Sequence, residues 1–307
     1  MMNFYGKRKI FYIISAVIAL IGIIGICING VALDISFKGG AIIKYTYEGE
    51  IDTAVVNQIA NESLGRNVTV QTTTDIATGT NRVVLNVAGN EAIGIEQQNA
   101  LETALNEKYA ANNITLSESN NVQPFIGARY LKRGILALVI AFALIVVYVW
   151  IRFKQISGLS AGVVALLALL HDCLVVFFTF VIFKMPLNDN FIAVLLTIIG
   201  FSVNDTIIIY DRIRENKIMS KHKMPIEDLV NKSITQSLTR SINTGGTTFL
   251  SVAVVYIFAC IFGIDPIKSF ALPLSIGLLS GCYSTICIAG PVWVSWQKYK
   301  EKRRKAA

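Results

Sequence analysis

The sequence predicts a polytopic α-helical membrane protein with six transmembrane helices and one extracytoplasmic α+β ferredoxin-like domain between helices 1 and 2. Three observations predict this class. Only 16% of the 307 residues are charged, against about 25% in a typical soluble protein. Six apolar runs are long enough to cross a hydrocarbon core of about 30 Å at about 1.5 Å per residue. The segment 31–133, between the first two runs, has the composition of a domain folded in water.

The six apolar runs define the domain organisation. The first lies in 1–30, where a basic start is followed by about 20 apolar residues without an A-x-A-like cleavage site. We therefore expect an uncleaved helix. The other five runs form a bundle over 134–297, with a cytoplasmic loop at 211–245, and a basic tail follows at 298–307. The individual runs lie at 10–29, 134–151, 158–183, 191–210, 246–264 and 270–296.

The distribution of basic residues predicts the orientation. If the N-terminus is cytoplasmic, the inner segments hold most of the 28 Lys and Arg residues, whereas the two short outer loops hold only Lys184 and Lys268. Cytoplasmic loops carry this excess, so we expect both termini inside. The net charge of +8 is then explained by membrane topology rather than by nucleic-acid binding, and we expect no nucleic-acid partner.

The segment 31–133 predicts the element order strand, helix, strand, strand, helix, strand. This order is typical of the ferredoxin-like arrangement. Asp52 is the predicted N-cap of the first helix, and Asn90 is the predicted N-cap of a second helix that extends to about residue 110. The predicted strands lie at 41–47, 68–72, 82–87 and 114–122, with TGTN as the turn between the second and third.

Neither an enzyme site nor a cofactor is indicated. The segment 31–133 has no recognisable nucleophile–base pair, metal cluster or phosphate-binding loop. The five cysteines all fall in apolar runs and have no CxxC spacing, which is typical of small buried hydrophobic residues. We expect no catalytic residues, no metal and no cofactor.

The fourth apolar run contains an acid. Asp205 follows Asn204 inside it, and a carboxylate in the bilayer centre costs about 2.5–3.5 kcal/mol on insertion scales. One interpretation is an Asp held permanently by a basic partner. The other is a group that takes up a proton from one face and releases it to the other, because burial favours the neutral form of a carboxyl group. Ser202 and Thr206 are either hydrogen-bond partners nearby or ordinary small polar packing residues.

Two further positions carry charge at membrane depth. His171 and Asp172 lie near the middle of the third run, where they act either in helix packing or in ion passage. Arg240 follows a helical pattern that starts near Pro225 and is predicted to lie along the inner surface. Arg240 would pair with Asp205 at a similar depth, or extend to the lipid headgroups.

Several glycines are predicted to be structural. Two of them, after the first run, suit a tight exit from the membrane into the domain, and others permit close helix packing. The exit glycines are Gly39 and Gly40, and the packing glycines are Gly245, Gly246, Gly277 and Gly281. Gly200 is a further predicted structural glycine.

Three stretches of the chain resemble the SecF proteins of the SecD/SecF family, which belongs to the bacterial protein-export machinery. The most specific is TIIGFSVNDTIIIYDRIREN at 197–216. LLHDCL around Asp172 and NKSITQSLTRSINT around Arg240 match two further family stretches in the right order. The resemblance covers nearly the whole chain, but Ser36 stands where the family usually has an Asp before its paired glycines.

The resemblance implies a resistance-nodulation-division fold and a multi-pass protein of the bacterial cytoplasmic membrane. It implies a SecD subunit, a SecY-type channel complex, a translocating preprotein and membrane lipid as partners. It also implies that the proton or sodium motive force promotes preprotein translocation and release. By resemblance, Asp205 and Arg240 belong to the proton pathway, and Asn204, Asp172 and His171 are further relay candidates.

Two alternative functions stay open on the residues alone. One is a proton-driven small-molecule exporter of the resistance-nodulation-division type, and the other is a non-conducting scaffold for a partner subunit. A substrate pocket would favour the exporter. A silent Asp205→Asn substitution would favour the scaffold.

Overall fold

The structure is a computed structural model that describes residues 2–34, 37, 40–75, 80–88, 93–122, 124–221, 223–262 and 264–306. Within these ranges, six helical segments are long and apolar enough to cross a membrane, as predicted. The first five are single helices, and the sixth consists of two α-helices joined by a π-helical turn, Ser284–Ala289. The helices are α1 (Arg8–Asn29), α4 (Pro124–Arg152), α5 (Gly158–Ile182), α6 (Asp189–Met219), α7 (Ile226–Ile261), α8 (Asp265–Tyr283) and α9 (Gly290–Ala306).

The bundle has an inner and an outer set of helices. The apolar stretches of α5, α6 and the sixth segment are 56%, 44% and 61% buried, and these helices pack against one another. The corresponding stretches of α1, α4 and α7 are only 6%, 6% and 11% buried. The exposed residues of the outer helices are mostly Ile, Leu, Val and Phe, which suits contact with lipid tails or with another membrane helix.

The two ends of the bundle differ. At the domain end, α1 leads to the α+β domain. At the other end, here called the basic end, the start of the chain contacts α7, with Tyr5 N–H donating to Asn231 Oδ1 at 3.0 Å. Arg152 at the end of α4 also pairs with Asp211 of α6 there, at 3.3 Å. The basic end therefore gathers the N-terminus, the α6–α7 connection and α9.

The α+β domain contains a four-stranded sheet with two helices. Its elements are β1 (Gly40–Tyr47), α2 (Thr53–Leu64), β2 (Val68–Asp75), β3 (Thr80–Ala88), α3 (Ile95–Lys108) and β4 (Thr115–Val122). The strand order is β2-β3-β1-β4, and every neighbouring pair is antiparallel. The predicted ferredoxin-like order is confirmed.

The sequence predicted an N-cap residue for each of the two helices in this domain. Asp52 caps α2 as predicted, because its Oδ1 accepts a hydrogen bond from Ala54 N–H at 2.8 Å. Asn90, the predicted N-cap of the second helix, lies outside the described residues. The helix α3 begins at Ile95 after the N-cap residue Gly94, whose N–H donates to Gln97 Oε1 at 3.3 Å.

The paired glycines after the first span are only partly described. Ser36 and Gly39 lie outside the described residues. Gly40 is the first residue of β1 and has a φ of 143°, a backbone conformation that favours glycine. Of the predicted TGTN turn, residues 78–79 lie outside the described part, and Thr80 and Asn81 already belong to β3.

The predicted cytoplasmic loop 211–245 is mostly helical. The helix α6 continues to Met219, and α7 then runs unbroken from Ile226 to Ile261 rather than lying along the surface before a separate span. The reason is packing: Asn216 of α6 is buried and donates to Ser233 Oγ of α7 at 2.9 Å. The apolar face of α7 joins the core of the basic end through Leu229, Val230 and Ile234.

Candidate functional site

A layer of buried polar side chains crosses the inner helices. On α5, α6 and the sixth segment, residues on one side of this layer belong to an apolar cluster at the basic end, and residues on the other side belong to an apolar cluster at the domain end. We call the set the polar layer. Its members are Asp172, Ser202, Asp205, Thr206, Ser241, Ser280, Ser284 and Thr285, and all are buried.

Asp172 lies in the polar layer with both carboxyl oxygens occupied. Its Oδ2 accepts hydrogen bonds from Ser202 Oγ and Ser284 Oγ, each at 2.7 Å. Its Oδ1 accepts one from Ser280 Oγ, also at 2.7 Å. Three hydroxyl donors from two neighbouring helical segments therefore surround one carboxyl group. These hydrogen bonds tie the three inner segments together.

Asp205 has a different environment. Its Oδ1 accepts one hydrogen bond, from Ser241 Oγ of α7 at 2.9 Å. Its Oδ2 is buried and has no hydrogen-bond partner. A buried polar atom without a partner costs about 1–3 kcal/mol. Asp205 thus has one free oxygen that can hold a proton or receive another donor.

Arg240 and Asn204 do not join the polar layer. Both side chains are exposed on the outside of the bundle, and no direct ion pair links Arg240 to Asp205. Each precedes a polar-layer residue by one position, and adjacent residues of a helix point in different directions. When Ser241 faces Asp205, Arg240 therefore turns outward. It remains near enough to attract the carboxylate of Asp205 through space.

His171 lies at the edge of the polar layer. Its Nδ1 is 3.3 Å from Asp172 Oδ1, and its side chain is 17% exposed. Its Nε2 is buried without a partner, and its ring lies 5.9 Å from the ring of Tyr283, measured between centroids. The structure thus places the His171 ring beside the Asp172 carboxyl group.

Ser202 and Thr206 lie in the layer, but their hydroxyl groups bond to partners other than the Asp205 carboxyl group. The hydroxyl of Ser202 donates to Asp172 on the neighbouring helix rather than to Asp205. The hydroxyl of Thr206 donates to the Ser202 carbonyl at 3.0 Å and lies 3.2 Å from Thr285 Oγ1. These residues therefore link α6 to the sixth segment.

The predicted structural glycines fall into two groups. A Cβ atom at Gly277 would lie 2.7–2.8 Å from the side chains of Ile198 and Val176, and one at Gly245 would collide with Cys282 Sγ. These glycines permit close helix packing. A Cβ atom at Gly246 would meet nothing within 4 Å, so the prediction of close packing is wrong for this glycine within this chain. A Cβ atom at Gly200 would also meet nothing within 4 Å, and its structural role stays a prediction.

Sequence reasoning missed the serines of the sixth segment and Ser241. The available signal was the recurrence of small polar residues within apolar runs, which is typical of interhelical hydrogen bonding. The π-helical turn Ser284–Ala289 was also missed. Such turns occur frequently at functional sites, and this one begins with two members of the polar layer, Ser284 and Thr285.

The chemistry available here is that of carboxyl and hydroxyl groups. Among the described residues, no group of three or more His, Cys, Asp and Glu side chains could hold a metal ion. All five cysteines are free thiols. The polar layer contains two carboxyl groups that can carry charge and several hydroxyl groups that donate or accept hydrogen bonds between helices.

Comparison with known proteins gives consistent matches. Residues 101–299 match the family described as "Protein export membrane protein SecD/SecF, C-terminal". The chain is 33% identical to "Protein translocase subunit SecF" of Alicyclobacillus acidocaldarius over 95% of this chain and 92% of that protein. It is 30% identical to the protein of the same name from Petrotoga mobilis, over 99% of both chains.

Larger relatives contain this chain as a part. "Protein translocase subunit SecDF" of Bacillus subtilis is 31% identical over 99% of this chain but only 39% of its own length. The crystal structure of SecDF from Thermus thermophilus, described as a translocon-associated membrane protein, matches 97% of this chain and 39% of that one, with 26% identity and a TM-score of 0.79. The chain thus spans about two-fifths of these SecDF proteins.

Proposed function

Since the chain belongs to the SecD/SecF family of protein export membrane proteins, we propose that it is a SecF-type translocase subunit that acts in Sec protein export beside a SecD-type subunit. The names of its full-length relatives support the export role. The Bacillus subtilis SecDF protein, which contains this chain's counterpart within a longer chain, supports the SecD-type partner. Six apolar helices and bacterial relatives support a multi-pass protein of the bacterial cytoplasmic membrane.

We further propose that Asp205 is the group through which an ion gradient drives this protein. The observation that carries the proposal is the difference between the two buried acids: Asp172 has donors on both oxygens, whereas Asp205 has a buried Oδ2 without a partner. The unpartnered oxygen of Asp205 is open to a proton, whereas both oxygens of Asp172 already accept hydrogen bonds. In this proposal Asp172 is a structural hydrogen-bond acceptor and Asp205 is the switch.

The change of charge on Asp205 acts on the contact between α6 and α7. Deprotonated Asp205 accepts the hydrogen bond from Ser241 and attracts Arg240. Protonation removes the negative charge, so the Coulomb attraction of Arg240 is lost and the bond from Ser241 weakens. The two helices then favour a different relative position, by an amount set by the difference in these contacts.

In this proposal, the proton gradient supplies free energy to the protein when a proton crosses the membrane. One charge moving through 100 mV releases about 2.3 kcal/mol, which is comparable to the value of one charge-assisted hydrogen bond. In the proposed cycle, the α+β domain moves with α1 and α4, to which the chain connects it. It grips an emerging preprotein in one state and releases it in the other, next to a SecY-type channel.

Release of a preprotein from vesicles tests this function. Vesicles would contain the SecY-type channel, a SecD-type subunit and either the wild type or Asp205→Asn, with a proton or a sodium gradient imposed separately. We expect gradient-dependent release with the wild type and only basal release with Asp205→Asn.

The matched control for this test is Asp211→Asn. Asp211 is on the same helix, is half-exposed and pairs with Arg152 and Arg214, so its substitution should leave gradient-dependent release intact. Equal release by Asp205→Asn and the wild type would instead support a non-conducting scaffold. If only one of the two gradients stimulates preprotein release by the wild type, that gradient identifies the coupling ion.

A further inference from the structure

A cavity of about 450 Å³ opens at the basic end of the bundle, outside the polar layer. Its walls come from the end of α4, the start of α5 and the middle of α9. Trp150 and Trp296 lie on two sides, Leu159 and Val163 form the apolar wall, and Lys154 and Lys300 add positive charge. No acidic residue lines it. The cavity combines cationic and apolar surface within one opening.

The two lysines carry uncompensated charge. Neither Lys154 nor Lys300 has an ion pair or hydrogen-bond partner for its ammonium group among the described residues. Their neighbours differ: Lys298 pairs with Glu227, and Lys305 pairs with Glu301 at 2.7 Å. An ammonium group binds phosphate as a compact point charge with three donors. Two such groups beside one cavity favour an anionic ligand.

The wall between the lysines is fixed by hydrogen bonds. Ser160 Oγ accepts from Trp293 Nε1 at 3.2 Å and from Gln297 Nε2 at 2.6 Å, which joins the start of α5 to α9. The helix α5 begins here without a side-chain cap. Its first N–H groups therefore add a small positive potential to that of the lysines.

The apolar part of the cavity indicates where the anion comes from. Trp150, Trp296 and Leu159 are 48%, 42% and 58% exposed. Tryptophan is enriched at the boundary between hydrocarbon and headgroups. Trp150 lies at the end of α4, Leu159 lies at the start of α5, and Trp296 lies in α9 shortly before the run of basic residues. A free phosphate ion makes no use of such a surface, whereas a lipid covers it with its glycerol and upper acyl carbons.

We propose that this cavity binds the phosphate headgroup of an anionic phospholipid, such as phosphatidylglycerol. Lys154 and Lys300 contact the phosphate, and Trp150, Trp296 and Leu159 contact the glycerol and the start of the acyl chains. In the expected orientation this lipid belongs to the cytoplasmic leaflet. The site is separate from the ion-coupling site and does not depend on it.

Tryptophan fluorescence tests the site directly, because the chain has only three tryptophans. Two of these line the cavity, and the third, Trp293, is buried. The full chain would be placed in nanodiscs of phosphatidylcholine containing increasing fractions of phosphatidylglycerol brominated on its acyl chains. We expect quenching to saturate at a low fraction of phosphatidylglycerol, whereas brominated phosphatidylcholine should quench only in proportion to its amount.

A charge-matched pair of variants separates the site from general attraction. Lys154→Gln with Lys300→Gln should raise the half-saturating fraction of phosphatidylglycerol roughly thirtyfold, or roughly fivefold for each lysine. Lys221→Gln with Lys223→Gln removes the same charge from the α6–α7 connection. This control should change the half-saturating fraction of phosphatidylglycerol less than about twofold.

Three results would overturn the proposal. They are equal effects of the two double variants, equal quenching by the two brominated lipids, and full relief of quenching by millimolar inorganic phosphate. The last result would identify a free-phosphate site instead.

Discussion

The residues Asp172 and Asp205 are on neighbouring helices of one polar layer, yet their hydrogen bonds assign them different physical roles. Removing an acceptor from a site with three buried donors leaves hydroxyl groups unpaired, and each unpaired group costs about 1–3 kcal/mol. Replacing a carboxyl group that has only one donor leaves fewer hydroxyl groups unpaired and should lower the stability of the protein less. Stability should therefore depend mainly on Asp172, and coupling mainly on Asp205.

The substitution Asp172→Asn should lower the stability of the folded protein by about 1–3 kcal/mol. The amide keeps one acceptor oxygen, but its NH₂ group faces hydroxyls that now donate to Asp172. Thermal unfolding in nanodiscs measures the effect, with Asp205→Asn as the matched variant. Asp205→Asn should unfold close to the wild-type temperature. The reverse order of the two variants would contradict the assignment of roles.

At the scale of helices, glycine spacing decides how closely the inner segments pack. Gly277 of α8 faces Ile198 of α6 and Val176 of α5, so one small residue sets two helix–helix distances. Gly246 of α7 faces open space. Glycine therefore permits close helix packing at one position, whereas at the other it faces open space.

A pair of alanine substitutions distinguishes these positions. Gly277→Ala should destabilise the bundle by about 1–3 kcal/mol, because overpacking forces neighbouring side chains to move. Gly246→Ala should be neutral or stabilise α7 by up to about 1 kcal/mol, since alanine favours a helix over glycine. Unfolding temperatures of both variants in the same nanodiscs give the comparison. A Gly277→Ala protein as stable as Gly246→Ala would disprove the packing role.

Helices were predictable from the sequence where local composition determines them. Runs of Ile, Leu and Val predicted six spans, and Asp52 predicted the start of α2. The extension of α6 to Met219 was not predictable, because it depends on a contact between Asn216 and Ser233 across two helices. At the start of α3, the N–H of Gly94 donates to Gln97 Oε1, a local bond that the sequence reasoning did not anticipate.

The sequence predicted the acidic residues of the site but not the residues that form hydrogen bonds to them. A charged residue in an apolar run stands out, so Asp172 and Asp205 were identified from the sequence alone. Ser241, Ser280 and Ser284 look like ordinary packing residues until the fold places them beside a carboxyl group. The outward direction of Arg240 follows from the rotation of α7, which no local pattern contains.

For the whole molecule, the central question is how the chain lies in the membrane. The α+β domain and the basic end are at opposite ends of the bundle, and the basic end holds the arginines and lysines at the ends of α4, α6 and α9. Because basic residues are in excess on the cytoplasmic side of membrane proteins, we propose that this end is cytoplasmic. In that orientation the α+β domain would face the outer side of the membrane.

Reporter fusions test this orientation. Green fluorescent protein fused after Ala307 should fluoresce, and alkaline phosphatase inserted after Gly49, at the end of β1, should be active. Each reporter works on only one side of the membrane, so the two results together assign both ends. The control exchanges the reporters, and both exchanged fusions should be inactive. Activity of the exchanged pair would invert the topology and exclude the proposed outer role of the domain.

The proposed mechanism rests on a change in the protonation state of Asp205 in the assembled protein. Infrared difference spectroscopy of the subunit with its SecD-type partner, recorded while pH is varied across the range that cells maintain, measures this change directly. We expect a carboxylic C=O band that rises as pH falls, and we expect it to be missing from Asp205→Asn but present in Asp211→Asn. A spectrum in which Asp205 contributes no such change at any of these pH values would contradict the mechanism.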